Sequence, residues 1–108
     1  MVPQLENNRS RIDELCRRYE VKRLELFGSA AGDDFDASKS DFDFLVEFIN
    51  PSWQGASGRY FGLLHGLERL LEQRVDLVIR DNYTDPRFLQ IADRHRVPLY
   101  VARIAKAS

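Results

Sequence analysis

The chain has 108 residues, enough for one domain with an ordinary core and no need of disulfides or a structural metal. Its 16 basic and 17 acidic residues leave a net charge of -1, so no overall basic field argues for nucleic acid as a constitutive partner. Cys16 is the single cysteine, which excludes an internal disulfide, and no apolar run approaches the ~18 residues of a membrane span. The expectation is a soluble, cytoplasmic domain over residues 1–108.

The first predicted element is a helix over residues 5–19. Ile12, Leu15, Cys16 and Tyr19 fall at helical spacing, and Leu5 lies a heptad before Ile12. Asn8 or Ser10 would cap a later start. Cys16 lies on the apolar stripe and reads as a small core residue. A strand follows over residues 23–27, with Leu24 and Leu26 on one face and Arg23, Glu25 and Phe27 on the other. Gly28 stops it, and an acidic loop runs from Ser29 to Ser40. The second strand covers residues 42–49. Asp41, Asp43, Leu45 and Glu47 share one side, and Phe42, Phe44, Val46 and Phe48 share the other, which must pack against helices.

Residues 59–73 give the clearest helix, with Tyr60, Leu63, Leu64, Leu67, Leu70 and Leu71 on one stripe and Ser57 as N-cap. Trp53, in the loop before it, suits a base-stacking platform, a cover for a core edge or a protein contact. A third strand covers residues 75–79 and holds Asp76. Asp85-Pro86 opens a helix running to about His95, and the last strand covers residues 97–102. The predicted fold is α/β (α+β), of order α-β-β-α-β-α-β. Its mixed four-stranded sheet has helices on one face and the carboxylate face open.

Aspartate is disfavoured in strands, and two on one face repel each other. Asp41 and Asp43 point to the same side, so a cation belongs above them. Magnesium takes hard oxygen ligands and is commonly held by carboxylates together with substrate phosphates. If the 75–79 strand lies beside the second, Asp76 completes a triad able to hold two metals. Pairing with Arg74 is the structural alternative for Asp76. Gly28 lets the backbone approach a ligand, and the Ser29 hydroxyl can donate to phosphate oxygens. No P-loop, G-x-G-x-x-G, EF-hand or zinc pattern competes.

Phe27-Gly28-Ser29, eleven intervening residues, then Asp41-Phe42-Asp43-Phe44 and the later Arg74-Val75-Asp76-Leu77-Val78 resemble the minimal nucleotidyltransferases of the DNA polymerase beta superfamily. Asp85-Pro86-Arg87 and Arg96-Val97-Pro98-Leu99-Tyr100 look like that family's ending. The resemblance implies that Asp41, Asp43 and Asp76 bind two magnesium ions, with Asp76 also helping to deprotonate the acceptor. It implies that Gly28 and Ser29 hold the phosphates of a nucleoside triphosphate, with ATP as donor. Stand-alone minimal members resemble antitoxins paired with HEPN-domain RNase toxins. The implied reaction is AMP transfer to a toxin tyrosine, within a hetero-oligomer of the two proteins. Many relatives carry Arg-Gly shortly after Gly-Ser, where this chain reads Ala30-Ala31-Gly32. That departure motivates a second expectation, a non-catalytic antitoxin acting by contact. A third is a transferase for a small molecule or an RNA end.

Overall fold

The computed structural model of the chain describes residues 3–27, 42–50, 52–80, 86–87 and 96–103. The first amphipathic segment forms two helices rather than one. α1 (Pro3–Asn7) and α2 (Arg9–Arg18) meet at Asn8, whose φ of -115° and ψ of 14° break the helical path. Asn8 holds the N-cap position of α2, but its Nδ2 donates backwards to the Gln4 carbonyl at 2.7 Å. Asparagine competes for nearby backbone groups in this way, which makes it a natural break point. Gln4 in turn donates from Nε2 to the Leu71 carbonyl at 3.0 Å, tying α1 to the far end of a later helix.

Cys16 is fully buried with Leu5 and Ile12, as its place on the stripe predicts. Burial pushes the pKa of its thiol up to about 12, with the Asp13 carboxylate adding to the rise. A thiolate is the reactive form, so Cys16 is expected to resist a thiol reagent in the native chain and to label readily in denaturant. Mass spectrometry of the two samples checks this.

Four strands and one long helix follow: β1 (Val21–Phe27), β2 (Phe42–Phe48), α3 (Ala56–Leu71), β3 (Val75–Ile79) and β4 (Val97–Val101). The sheet order is β3-β2-β1-β4. β1 runs antiparallel to β2 and β4, and β2 runs parallel to β3. A parallel pair needs a crossover, which α3 supplies. β1 starts at Val21 rather than Arg23, because Val21 is buried and pairs with Phe48 across a bulge. Pro98 is accommodated because β4 lies at the sheet edge.

α3 starts earlier than the leucine stripe implies, and Ser57 falls inside its first turn. Gly55 takes the N-cap place with a left-handed φ of 72°, which glycine adopts without steric cost. Arg59 closes this turn in place of a serine hydroxyl. Its guanidinium donates to the carbonyls of Ser52 at 2.6 Å and Gln54 at 3.0 Å. Of the helix predicted after Asp85, Pro86 and Arg87 are helical, and the remainder lies outside the described residues. No helix among the described residues is long and apolar enough to cross a membrane.

The core forms on one side of the sheet. Leu24, Leu26, Phe42, Phe44, Val46, Val75, Leu77 and Leu99 pack against Leu5, Ile12, Cys16, Leu63, Leu67 and Leu71. α2 and α3 come close through Gly62 and Gly66. A Cβ at Gly62 would stand 2.3 Å from the Tyr19 ring, and one at Gly66 would stand 2.7 Å from a Leu15 methyl. These contacts predict opposite outcomes for the same substitution. Gly62→Ala must displace a packed ring and should cost about 1–3 kcal/mol. Gly66→Ala meets the flexible end of a leucine and gains helix propensity, so it should stay within about 1 kcal/mol of wild type. Urea melts of the two variants provide the comparison.

Candidate active site

The face of the sheet away from these helices carries the candidate site residues Asp43 and Asp76. Residues paired across strands project to the same side, so the register assigns neighbours directly. Asp43 of β2 pairs with Asp76 of β3 and, on its other flank, with Phe27 of β1. Adjacent strands lie about 4.8 Å apart, so two carboxylates from distant parts of the sequence become neighbours. Asp43 is half-buried and Asp76 is exposed. Among the described residues no basic group forms an ion pair with Asp76, so the Arg74 alternative does not form.

Two contacts from α3 hold β3 in this register. The Glu68 carboxylate accepts the Val75 backbone N–H at 3.3 Å. The Tyr60 hydroxyl donates to the Leu77 carbonyl at 2.6 Å. Both contacts flank Asp76. The Tyr60 hydroxyl has a raised pKa, first from burial and then from the nearby Asp76 carboxylate. β2 is joined at the same level, because Phe42 donates its N–H to the Arg74 carbonyl at 3.1 Å.

The donor set at this point fits a hard divalent cation. Two carboxylates face each other at strand spacing, and one is exposed without a cationic partner among the described residues. Such a pair suits magnesium shared with substrate phosphates. Asp41, Gly28 and Ser29 lie outside the described residues, as does the Ala30-Ala31 segment. Among the described residues no third metal-ligating side chain joins Asp43 and Asp76.

The middle of this face is covered, contrary to the expectation of an open surface. Glu25 is 2% exposed and its cross-strand neighbour Leu45 is 1% exposed. Three arginines surround the Glu25 carboxylate. Arg96 Nε lies 2.8 Å from Oε2, Arg23 Nε lies 3.1 Å from Oε1, and Arg80 Nη1 lies 3.9 Å from Oε1. Sequence alternation assigned Glu25 to a polar face and gave no sign of its burial. The three arginines come from three different strands or strand ends, so local spacing does not link them. Trp53, by contrast, is 84% exposed and covers no core edge.

A family model described as a nucleotidyltransferase domain matches residues 9–99. The chain belongs to this family. The nucleotidyltransferase is also similar to a solved minimal nucleotidyltransferase, at 31% identity and a TM-score of 0.70, over 87% of this chain and 91% of that one. Two toxin–antitoxin structures share the fold. One, with AMP-PNP, is 21% identical with a TM-score of 0.68, over 89% of this chain and 75% of that one. The other, a mutant of the MntA-HpeT pair, is 19% identical with the same TM-score and the same coverage. No curated protein sequence matches the nucleotidyltransferase.

Proposed function

We propose that this nucleotidyltransferase moves NMP, with ATP as the donor, to a tyrosine hydroxyl of a HEPN RNase toxin and so acts as its antitoxin. The observation that carries the reading is the pairing of Asp43 with Asp76 on neighbouring parallel strands. The likeness to toxin–antitoxin structures, one with AMP-PNP, supports the choice of donor and partner.

Asp41, Asp43 and Asp76 would hold two magnesium ions, which when bound polarise the α-phosphate and offset charge on the departing pyrophosphate. The remaining work falls to the chain. The acceptor oxygen attacks the α-phosphorus, and the bond from that phosphorus to the bridging oxygen breaks. Asp76, the exposed member of the pair, takes the acceptor's proton. Backbone N–H groups after Gly28 and the Ser29 hydroxyl would donate to phosphate oxygens. Glu68 and Tyr60 fix the strand that presents Asp76.

The test is transfer of label from α-labelled ATP, with magnesium, to a co-purified toxin, followed by mapping of the labelled residue. Label on a toxin tyrosine, lost in Asp43→Asn, supports the reading. A second reading, neutralisation by contact alone, is motivated by Ala30-Ala31 in place of an arginine. It prevails if the wild type transfers nothing and Asp43→Asn protects cells from the toxin as well as the wild type does.

A further inference from the structure

Helices α2 and α3 leave a groove between them, with a volume of about 1090 Å³. Its floor is Leu15 of α2 with Gly66 and Leu70 of α3. Both leucines are half-buried at the margin of the core. The missing side chain at Gly66 lets Leu15 lie low against α3. The rim is charged. Arg11, Glu14 and Arg18 share a helical stripe with Leu15, and Arg69 shares one with Gly66 and Leu70. Arg17 and Glu72 complete it. The rim thus carries two more positive charges than negative ones, although the whole chain stands at -1.

Every charged residue of the rim is exposed. Glu14 lies three residues from Arg11 and four from Arg18, and Arg69 lies three from Glu72, spacings that permit ion pairs on a helix surface. Among the described residues none of these pairs forms. The guanidiniums therefore remain open to a group from outside the chain. A leucine floor between arginines fits an apolar stripe bordered by carboxylates. From Arg11 to Arg18 the rim spans about 10 Å, or two helical turns, the length over which a docked helix places anchors at i, i+3 or i+4, and i+7. A second copy of the chain would set the same arginine-rich rim against itself. Single-stranded RNA is held on aromatic platforms, and among the described residues none lines the groove.

We propose that the α2–α3 groove is a docking site for an acidic amphipathic helix of a partner protein. Leucine-type side chains of that helix rest on Leu15 and Leu70, and its flanking carboxylates meet Arg11, Arg18 and Arg69. Arginine suits this task, because its planar fork accepts a carboxylate on two donors. The helices cover the opposite face of the sheet from Asp43 and Asp76, so a docked partner leaves the carboxylate pair open. The docking site stands whether or not the chain transfers a nucleotide.

The probes are two synthetic helical peptides with the same leucine stripe, flanked by glutamates in one and by lysines in the other. Fluorescence anisotropy reads their binding to the full chain. The wild type should bind the glutamate peptide about tenfold more tightly, the scale of several exposed charge pairs gained in one case and opposed in the other. Added salt should narrow the difference. Arg11→Glu combined with Arg69→Glu turns the rim's positive excess into an equal negative one, so the preference should invert. Both arginines are exposed and form no ion pair among the described residues, so the fold does not depend on them, and a thermal melt checks this. The wild type decides even where the double variant does not fold: no binding, or equal binding of the two peptides, overturns the proposal. An unchanged preference in the folded variant overturns it as well. Self-association of the wild type that the variant abolishes assigns the groove to a second copy and overturns it. So does a single-stranded RNA that binds the wild type more tightly than the glutamate peptide and is lost in the variant.

Discussion

Asp76→Asn is expected to lower NMP transfer at least ~10³-fold, the combined scale of losing a metal ligand and a proton acceptor. The same change should make the chain more stable. Asp76 faces Asp43 across parallel strands, and like charges in that relation are destabilising. Removing one should return about 0.2–1 kcal/mol. Asp76 is exposed and has no ion pair among the described residues, so no salt bridge is lost. Transfer assays beside thermal melts, both without and with magnesium, check the pair of effects. With the metal present the order of stability should narrow or reverse, because only the wild type gains from binding it. A variant that loses both activity and stability would mean that Asp76 serves the fold rather than the reaction.

Glu25→Ala is expected to cost about 3 kcal/mol, as when one partner of a buried ion pair is removed. The loss comes from three guanidiniums left facing one another and from the space left above Leu45. Glu25→Gln keeps the volume and should recover part of the loss. Its remaining deficit is electrostatic, so it should shrink at high salt, because the arginines are within reach of solvent ions. The packing part of the alanine effect should not respond to salt. Urea titrations of both variants at low and high salt separate the two contributions. Unchanged midpoints in both would show that Glu25 is not the keystone of the cluster.

Much of this architecture was legible in the chain because its signals are local. The bounds of β3 follow from five residues between turn signals, and Leu63, Leu67 and Leu71 bury the face that their spacing predicts. The break at Asn8 was less visible, because asparagine interrupts a helix through one side-chain hydrogen bond rather than through a forbidden dihedral. Ser57 has the composition of a cap, yet the turn is closed by Arg59, whose reach back to residues 52 and 54 no spacing rule announces. For the site, alternation placed Asp43 correctly on the face away from the core. That Asp43 sits beside Asp76 depends on the parallel β2–β3 register, a pairing between segments joined only through α3. The Glu25 cluster was the least legible part. It draws on β1, the residue after β3 and the residue before β4, and it exists only once the sheet has assembled.

The sheet order has a consequence for how the chain is made. β1 is an interior strand, yet β4, one of its two neighbours, is the last strand of the described chain. A chain emerging from the ribosome can pair β1 with β2 early. The other edge of β1 must then wait for residues 97–101 to be synthesised. Throughout that interval Leu24 and Leu26 sit on a strand with one row of backbone groups unclaimed, which is a template for pairing between chains. Arg96 arrives with the missing strand, so the Glu25 carboxylate gains its shortest ion pair at the moment the edge is sealed. Chains interrupted before Val97 should therefore be removed by aggregation or proteolysis, even though Asp43 and Asp76 have already been made.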